Sequence, residues 1–321
     1  MTISYIILAY NHPLQLKRLV ERLQTDETFF YIHIDRKSDI NQFISVLPET
    51  GNISYIPKEE RVDCHWGDLS LVEAVLVSCR KVLQYGHGGY VVLLSGQDYP
   101  IRGNQYINDF LNDNKGLDFL SIYPVPDKKK SSENGGEERF ENYTFDCQNP
   151  KNSRMKAKIR PLSFNVKTLG GFVRLAIYRR DLLPLAIKDW FVPRHYPNCL
   201  ARVFNEMWFV LQFDTVEYIV RFWESHPEIK EYYTYTHIPD ETAFGSILCA
   251  DAKHRERLRD MCHLIDWDVN LNGSPKTFHE KDFSWIEQQK RVHPNLLYAR
   301  KFNQDDDILD LLDKRNGYEA R

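Results

Sequence analysis

The sequence predicts an α/β fold in which helices flank a largely parallel sheet. Apolar runs of strand length alternate with segments of helical spacing through the first 125 residues, which is typical of repeated βαβ units. Residues 90–96 (YVVLLSG) are apolar almost throughout, as in a strand that is buried on both faces. The chain has 321 residues, of which 42% are hydrophobic, so it can bury a substantial core. We predict a single domain with two halves, residues 1–125 and 126–321.

The first half contains the more regular elements. Its predicted elements are, in order, a strand at 3–9 (ISYIILA), a helix with apolar residues at 16, 19, 20 and 23, strands at 29–35 and 52–57, a helix at 68–85 and the strand at 90–96. The sequence Gln-Asp-Tyr-Pro at 97–100 then predicts a loop.

The second half begins with a strongly charged segment. Residues 127–160 include KKKSSENGGEE, and we predict a mobile surface loop there in preference to a phosphate-binding basic patch. Apolar patterning returns at 172–223. The later predicted elements are a core strand at 207–213 (MWFVLQF) and helices at 214–225, 240–250 and 305–315.

Composition and termini exclude several classes of protein. With 42 Lys and Arg against 45 Asp and Glu, the net charge of −3 gives no support for nucleic-acid binding. The sequence has no apolar run of about 18 residues and no basic segment before the first strand, so neither a transmembrane helix nor a signal peptide is predicted. The six cysteines form no CxxC pair, which makes a zinc site unlikely and favours free thiols in a reducing cytoplasm.

Polar clusters follow three of the predicted strands. They are Asn11-His12, Asp35-Arg36-Lys37 and Ser95-Gly96-Gln97-Asp98. Ligands of open parallel sheets bind beyond the carboxyl ends of the strands, although each cluster singly could also be a turn or a helix cap. No GxGxxG, GxxxxGK[ST] or GxSxG motif is present, so dinucleotide, P-loop and α/β-hydrolase chemistry are disfavoured. A nucleotide-sugar is the remaining common ligand of this layout.

Four motifs resemble the core-2/I-branching glycosyltransferase family, which includes β-1,6-N-acetylglucosaminyltransferases and protein O-xylosyltransferases. They occur in the family's order: YIHIDRK at 31–37, LLSGQDYPI at 93–101, PDE at 239–241 and ARKF at 299–302. The resemblance implies a variant GT-A fold with a Rossmann-like sheet and an inverting transfer, without a metal or cofactor. It implies a UDP-sugar donor, with GlcNAc or xylose expected, and a glycan or lipid-linked glycan acceptor. The lack of a membrane anchor suggests a bacterial, cytoplasmic member, compatible with peripheral contact at the inner face of the membrane.

The resemblance also implies roles for residues in the second half. Glu241 matches the family's general base, and Asp240 is expected to cap the following helix and to lie at the substrate, although the two acids could exchange roles or only favour the helix dipole. Lys301 matches the lysine that neutralises the leaving diphosphate. The family's arginine falls near Gly273 here, so Lys276 is the nearest replacement and Arg300 the second, with solvated lysines as the alternative.

Nucleotide contacts are expected at the strand ends. Asp35 is the best candidate for binding the base or ribose, and Asn11 or His12 could touch the uracil. His33, flanked by apolar residues, is expected to be a buried core histidine.

Sugar contacts are expected from Trp66, Asp98 and Trp208. A loop acid such as Asp98 could equally bind local backbone, and Trp208 could equally be a core residue. The segment 127–160 is a candidate lid for the acceptor.

Two other functional classes stay open at this point. Ordinary GT-A enzymes hold a divalent cation with an Asp-x-Asp motif, but the expected place reads Ser-Gly-Gln-Asp. The acid groups at 266–268 (DWD) and 305–307 (DDD) lie far downstream, and the second is explained by helix capping. A metal-dependent GT-A transferase and a non-catalytic protein that binds nucleotide-sugars or carbohydrates are therefore the alternatives.

Overall fold

A seven-stranded sheet forms the centre of the protein, whose computed structural model describes residues 1–127, 133–149, 154–267, 274–304 and 306–318. The strands among these residues are β1 (Ile3–Ala9), β2 (Thr28–Ile34), β3 (Ile53–Tyr55), β4 (Tyr90–Ser95), β5 (Asp98–Pro100), β6 (Asp118–Phe119), β7 (Ile122–Pro124), β8 (Tyr143–Asp146), β9 (Lys156–Ile159), β10 (Val203–Asn205), β11 (Val210–Gln212), β12 (Leu258–Arg259), β13 (His263–Ile265) and β14 (Tyr298–Arg300).

Helices cover both faces of this sheet. In the same described ranges they are α1 (Pro13–Leu23), α2 (Asn41–Ile44), α3 (Ser70–Tyr85), α4 (Asn104–Asp113), α5 (Glu138–Glu141), α6 (Val166–Tyr178), α7 (Leu183–Trp190), α8 (Phe213–Ser225), α9 (Pro227–Thr234), α10 (Ala243–Ala250), α11 (Ala252–Arg257), α12 (Phe283–Val292) and α13 (Ile308–Arg315).

The central sheet has the order β12-β6-β11-β4-β1-β2-β3. Strands β4, β1, β2 and β3 run parallel, and β11 is antiparallel to both β4 and β6. The prediction of an α/β fold with a mostly parallel sheet is therefore confirmed. Because β1, β2 and β4 are parallel neighbours, their carboxyl ends meet at one edge of the sheet.

Two apolar cores lie on opposite faces of the sheet because successive strand residues point to opposite sides. Ile7 packs in one core with Leu16 of α1, and Ile6 packs in the other with Val72 and Val75 of α3. The near-continuous apolar sequences of β1 and β4 are explained by this burial on both faces.

A second sheet, in the order β13-β14-β5, corrects the prediction of a loop at 97–100. Strand β5 pairs antiparallel with β14, so that Asp98 lies opposite Arg300. The partner strand is some 200 residues away in sequence, so no local pattern reveals the pairing. The predicted strand at 207–213 is also different, because only β11 is a strand there and α8 begins at Phe213.

The segment 127–160 is not a continuous loop in its described part. It contains α5 and the antiparallel hairpin β8–β9, which packs with α6 and α7 around a small core of its own. That core includes Phe145, Ile159 and Leu175. Residues 128–132 and 150–153 lie outside the described ranges. The predicted mobility of this segment stays a prediction.

The first and last described helices are held together by charge. Arg18 on α1 donates a 2.6 Å hydrogen bond to Asp313 on α13, and Tyr99 donates to the same carboxylate at 2.7 Å. Within the described ranges, no helix has the combination of length and apolar composition that crossing a bilayer requires.

Candidate active site

The polar clusters after β1, β2 and β4 lie at one edge of the sheet. The Asp35 N–H donates to the carbonyl of Ala9, and the Gly96 N–H donates to Leu8, each at 2.9 Å. Asn11 and His12 follow β1 at this edge and are half-buried. His12 adopts a left-handed conformation (φ 55°) at the start of α1. This edge is where open α/β sheets bind ligands.

Asp35 is a buried carboxylate fixed by its own turn. It accepts a 2.9 Å hydrogen bond from the Lys37 N–H, and its other oxygen lies 3.7 Å from the Lys37 ammonium. That ammonium lies 2.6 Å from Asp63, and this hydrogen bond lowers the pKa of Asp63. Asp35 thus has a defined orientation at the strand end. His33, buried just before it, accepts from the Val62 N–H at 2.9 Å, and burial lowers its pKa to about 4.

Glu241 lies in a 3₁₀ turn, Pro239–Glu241, directly before α10. Its carboxylate accepts a 2.5 Å hydrogen bond from the guanidinium of Arg139 on α5. Arg139 was not predicted from the sequence, because it lies in the charged segment that was predicted to be a loop. Since the pair is only partly exposed, Arg139 can hold the Glu241 carboxylate in one orientation.

Asp240 does not cap α10, which corrects that prediction. Thr242 precedes the helix, and no side chain caps its first turn. Asp240 is instead buried in the 3₁₀ turn, and its Oδ1 has no hydrogen-bond partner among the described residues. Burial, and then the charge of Glu241, raises the pKa of Asp240 to about 7. The Asn205 side chain holds this turn by donating to the Asp240 carbonyl at 2.9 Å.

Asp98 and Arg300 form a buried ion pair between β5 and β14. Asp98 is fully buried and accepts from the Ser95 N–H and from Arg300, both at 2.7 Å. Burial raises the pKa of Asp98, and the charge of Arg300 opposes this effect. The Arg300 guanidinium lies 4.2 Å from the ring centre of Trp208, which is itself nearly buried. This geometry favours a positioning role for Asp98 and Trp208 over the sugar contacts expected of them.

The two candidate lysines differ in their surroundings. The Lys276 ammonium donates to Asp282 at 2.7 Å and lies 3.8 Å from Asp266, so its charge is already compensated. Lys301 has no ion-pair partner among the residues the structure describes. Its pKa is lowered by burial and then by the charges of Arg300 and Arg154. Lys301 is therefore the better placed cation for an incoming anion. Gly273, where the family's arginine was expected, lies outside the described ranges.

Arg154 is a further cation that the sequence analysis did not identify. Its guanidinium donates to the Ser274 hydroxyl at 2.7 Å and lies 4.8 Å from the ring centre of Trp66. Together with Arg300 and Lys301 it raises the local positive potential, which favours a polyanion such as a diphosphate. No motif marks Arg154 in the sequence.

Trp66 connects these cations to the turn that carries Glu241. Its ring is 37% exposed and meets the His237 ring edge-on at 5.8 Å. The neighbouring Gly67 carbonyl accepts a 3.1 Å hydrogen bond from the Ile238 N–H. Burial first, and then the charges of Lys158, Arg139 and Lys156, lower the pKa of His237 to about 3. A sugar ring placed on Trp66 would lie between the cations and the carboxylate.

The acid groups that could bind a metal are only partly described. Asp268 and Asp305 lie outside the described ranges, and Asp266 lies near Lys276. Asp306 contacts the imidazole of His279 and accepts from the Ile308 N–H at 3.2 Å, as a residue at a helix start does. In the described ranges one group of three potential ligands lies together, outside the candidate site: Cys199, His226 and Glu228.

Comparisons with known proteins identify the family of this chain. The family model of the Core-2/I-Branching enzyme matches residues 3–167, more than half of the chain, so the protein belongs to that family. It is 25% identical to xylosyltransferase 2 of Homo sapiens over 97% of this chain and 33% of the relative. It is 24% identical to xylosyltransferase 1 of Canis lupus familiaris over 90% of this chain and 27% of the relative. The chain thus spans about a third of the length of these curated relatives.

One solved structure is distantly similar. Core-mannan synthase A from Aspergillus fumigatus, in its Mn/GDP form, superposes with a TM-score of 0.36 and 13% sequence identity, covering 81% of this chain and 72% of that chain. At this TM-score the likeness is too remote to support a functional comparison.

Proposed function

We propose that this protein is an inverting, metal-independent glycosyltransferase of GT-A type that moves a sugar from a UDP-sugar to a hydroxyl of a glycan or lipid-linked glycan. The observation that carries the proposal is the position of Lys301, which has no ion-pair partner in the described ranges, beside Arg300 and Arg154 and linked through Trp66 to the turn with Glu241. Membership of the Core-2/I-Branching enzyme family supports it. The relatives named xylosyltransferases make xylose a candidate donor sugar beside GlcNAc.

In the proposed reaction the acceptor hydroxyl attacks the anomeric carbon of the donor. Glu241 takes the proton of that hydroxyl as the new carbon–oxygen bond forms. The bond between the anomeric carbon and the diphosphate breaks on the opposite face, so the configuration inverts. Lys301 and Arg154 stabilise the negative charge that develops on the departing UDP.

The remaining residues have supporting roles in this proposal. Asp35 binds the base or ribose from the end of β2, with Asn11 and His12 beside it after β1. Arg139 orients the Glu241 carboxylate and yields part of that interaction when the acceptor binds. Asp98 holds Arg300 in place and does not itself contact the sugar. The proposed chemistry requires no cofactor besides the donor substrate. The proposed acceptor is a glycan or lipid-linked glycan, not a nucleic acid. The proposed location is the cytoplasm, at the inner face of the membrane.

The first experiment measures UDP release from a panel of UDP-sugars, with and without excess EDTA. We expect release from one donor, unchanged by EDTA. Glu241→Gln should lower that rate by about 10²–10⁴-fold while UDP affinity stays within about twofold, because a general base contributes that much to a transfer step. Glu256→Gln, an exposed glutamate on α11, is the matched control.

Each outcome distinguishes between classes of protein. Release that EDTA abolishes would show that a metal neutralises the diphosphate and would contradict the metal-free mechanism. Full activity in Glu241→Gln would show that Glu241 is not the general base. UDP binding without release from any donor, tested with a mixture of glycan acceptors, would indicate a non-catalytic binding protein.

A further inference from the structure

A cluster of exposed apolar side chains covers residues 162–192. Eighteen large hydrophobic residues are exposed among the described residues, and ten of them lie in this stretch. We call them the apolar face: Leu162, Phe164, Val166, Leu169, Val173, Ile177, Tyr178, Ile187, Phe191 and Val192. Exposed apolar residues scattered singly are ordinary, but a concentration of this kind marks a surface that is covered by something else.

Helix α6 supplies the regular part of this face. Val166, Leu169, Val173 and Ile177 are spaced three or four residues apart, so they form one stripe. The buried residues of the helix, among them Leu175, lie on the opposite side and pack on the β8–β9 hairpin. A helix that is apolar on both sides is expected to be buried on both. Here only one side is covered by the chain itself.

An aromatic cluster extends the stripe beyond the start of α6. The Phe164 ring, 93% exposed, meets Trp190 edge-on at 4.6 Å, and the centre of the Phe191 ring lies 4.8 Å from that of Trp190. The Leu162 N–H donates to the Trp190 carbonyl at 2.8 Å, which joins the two loops. Val166 and Phe191 therefore belong to one continuous surface with a tryptophan at its base. Tryptophan is enriched where proteins meet the boundary of a bilayer.

The charge around this face is strongly positive. Residues 154–194 contain ten Lys and Arg but two Asp and Glu, a net charge of +8, whereas the whole chain carries −3. The rest of the chain therefore carries −11. Lys167 and Arg174 are exposed on α6 beside the apolar stripe, and Lys188 is exposed on α7. An apolar surface bordered by cations is complementary to an anionic lipid surface.

We propose that the apolar face docks onto the surface of a bilayer that contains anionic phospholipids. The exposed side chains of α6 and the Phe164–Phe191 cluster enter the boundary of the acyl chains, and the surrounding Lys and Arg bind phosphate headgroups. A second copy of the chain fits less well, because two-fold pairing of this face would bring the exposed Lys167, Arg174 and Lys188 of both copies together. The proposed contact is peripheral, because the apolar face lies on the surface of the bilayer and does not cross it.

This docking brings the candidate active site close to the bilayer. Strand β8 is joined to the chain before the Pro239–Glu241 turn by a 2.8 Å hydrogen bond from the Thr144 N–H to the Tyr235 carbonyl. The β8–β9 hairpin therefore contacts both α6 and the chain just before that turn. The inference goes beyond the proposed function and does not depend on it, because its test reads vesicle binding alone.

The test is sedimentation of the full chain with sucrose-loaded vesicles of phosphatidylcholine, either pure or with phosphatidylglycerol. We expect binding to the anionic vesicles only, weakened by 0.5 M salt because the Debye length falls below about 5 Å. The double variant Phe164→Glu/Val166→Glu should bind at least about tenfold more weakly, since it replaces apolar insertion by repulsion. Val292→Glu, an equally drastic change at a 63% exposed valine on α12, is the matched control and should bind normally.

Three outcomes would overturn the proposal. They are the absence of binding to anionic vesicles, equal loss of binding in Val292→Glu, and a dimer in solution that the double variant dissociates. The circular dichroism spectrum and thermal midpoint of each variant show whether it is folded. Because Phe164 and Val166 are almost fully exposed, neither substitution buries a charge.

Discussion

Arg139 donates a 2.5 Å hydrogen bond to the Glu241 carboxylate across 102 residues of sequence. The arginine belongs to α5, a single helical turn in a charged segment, and the glutamate to the turn before α10. The proposed base thus depends on a residue of another segment for its orientation.

Replacing Arg139 should impair the transfer step without affecting the donor site. We expect Arg139→Gln to lower kcat about 10–100-fold, because a misdirected base loses much of its contribution, while the Kd for UDP stays within about twofold. Steady-state kinetics and UDP titration measure the two quantities. Arg160→Gln removes an exposed ion pair with Glu141 nearby and should leave both unchanged. An unchanged kcat in Arg139→Gln would show that the pair has no part in catalysis.

Lys301 and Lys276 should differ in their effect on UDP binding. Lys301 has no ion-pair partner within the described ranges, whereas Lys276 is already paired with Asp282. Lys301→Ala should therefore weaken UDP binding about tenfold, the loss of one charge-assisted contact, and Lys276→Ala about twofold or less. Calorimetric titration with UDP makes the comparison. A larger loss of UDP affinity in Lys276→Ala than in Lys301→Ala would show that Lys276 is the lysine that binds the diphosphate.

Asp240 should make the protein less stable as the pH rises. Its pKa is about 7 in the folded chain and 3.8 ordinarily, so between these values the unfolded state loses the proton first. The resulting cost to the folded state is only partly developed at pH 5 and is complete at pH 8. Asp240→Asn cannot ionise, so relative to wild type it should gain on the order of 2–3 kcal/mol between pH 5 and pH 8.

Urea unfolding of the wild type and of Asp240→Asn at pH 5 and pH 8 gives the four free energies of unfolding. An effect of the amide on packing that does not depend on pH cancels when the change between the two pH values is compared. Asp26→Asn, at an exposed position, should show no such gain. If the stability of Asp240→Asn follows that of the wild type at both pH values, Asp240 titrates normally in the folded protein.

Breaking the Asp98–Arg300 pair should destabilise the fold more than any exposed pair does. Asp98→Asn leaves the arginine without its buried counter-charge, which costs about 3–5 kcal/mol. Arg80→Gln breaks an exposed pair with Glu224 and should cost less than about 1 kcal/mol. Chemical denaturation measures both. Equal effects would mean that the second sheet does not depend on this pair.

The sequence was informative where the determinants of structure are local. Strands β1 and β4 were predicted within a residue, because burial on both faces leaves a continuous apolar run. Strand β5 was missed, since three residues acquire strand geometry only by pairing with β14. The same limit applied to the site. Glu241 and Lys301 were predicted from motifs and remain predictions, whereas Arg139 and Arg154 lie in charged sequence whose partners are distant.

The pairing of β5 with β14 also means that the second sheet can form only late in the synthesis of the chain. The ribosome completes residues 1–100 long before it reaches Arg300. Asp98 is therefore present in the nascent chain before its ion-pair partner has been made. Until that late strand arrives, the nascent chain already contains Arg154 and the proposed base Glu241, but it lacks Lys301 and the Asp98–Arg300 ion pair. A partly made chain that stops before residue 301 therefore lacks one of the two cations proposed to stabilise the departing diphosphate.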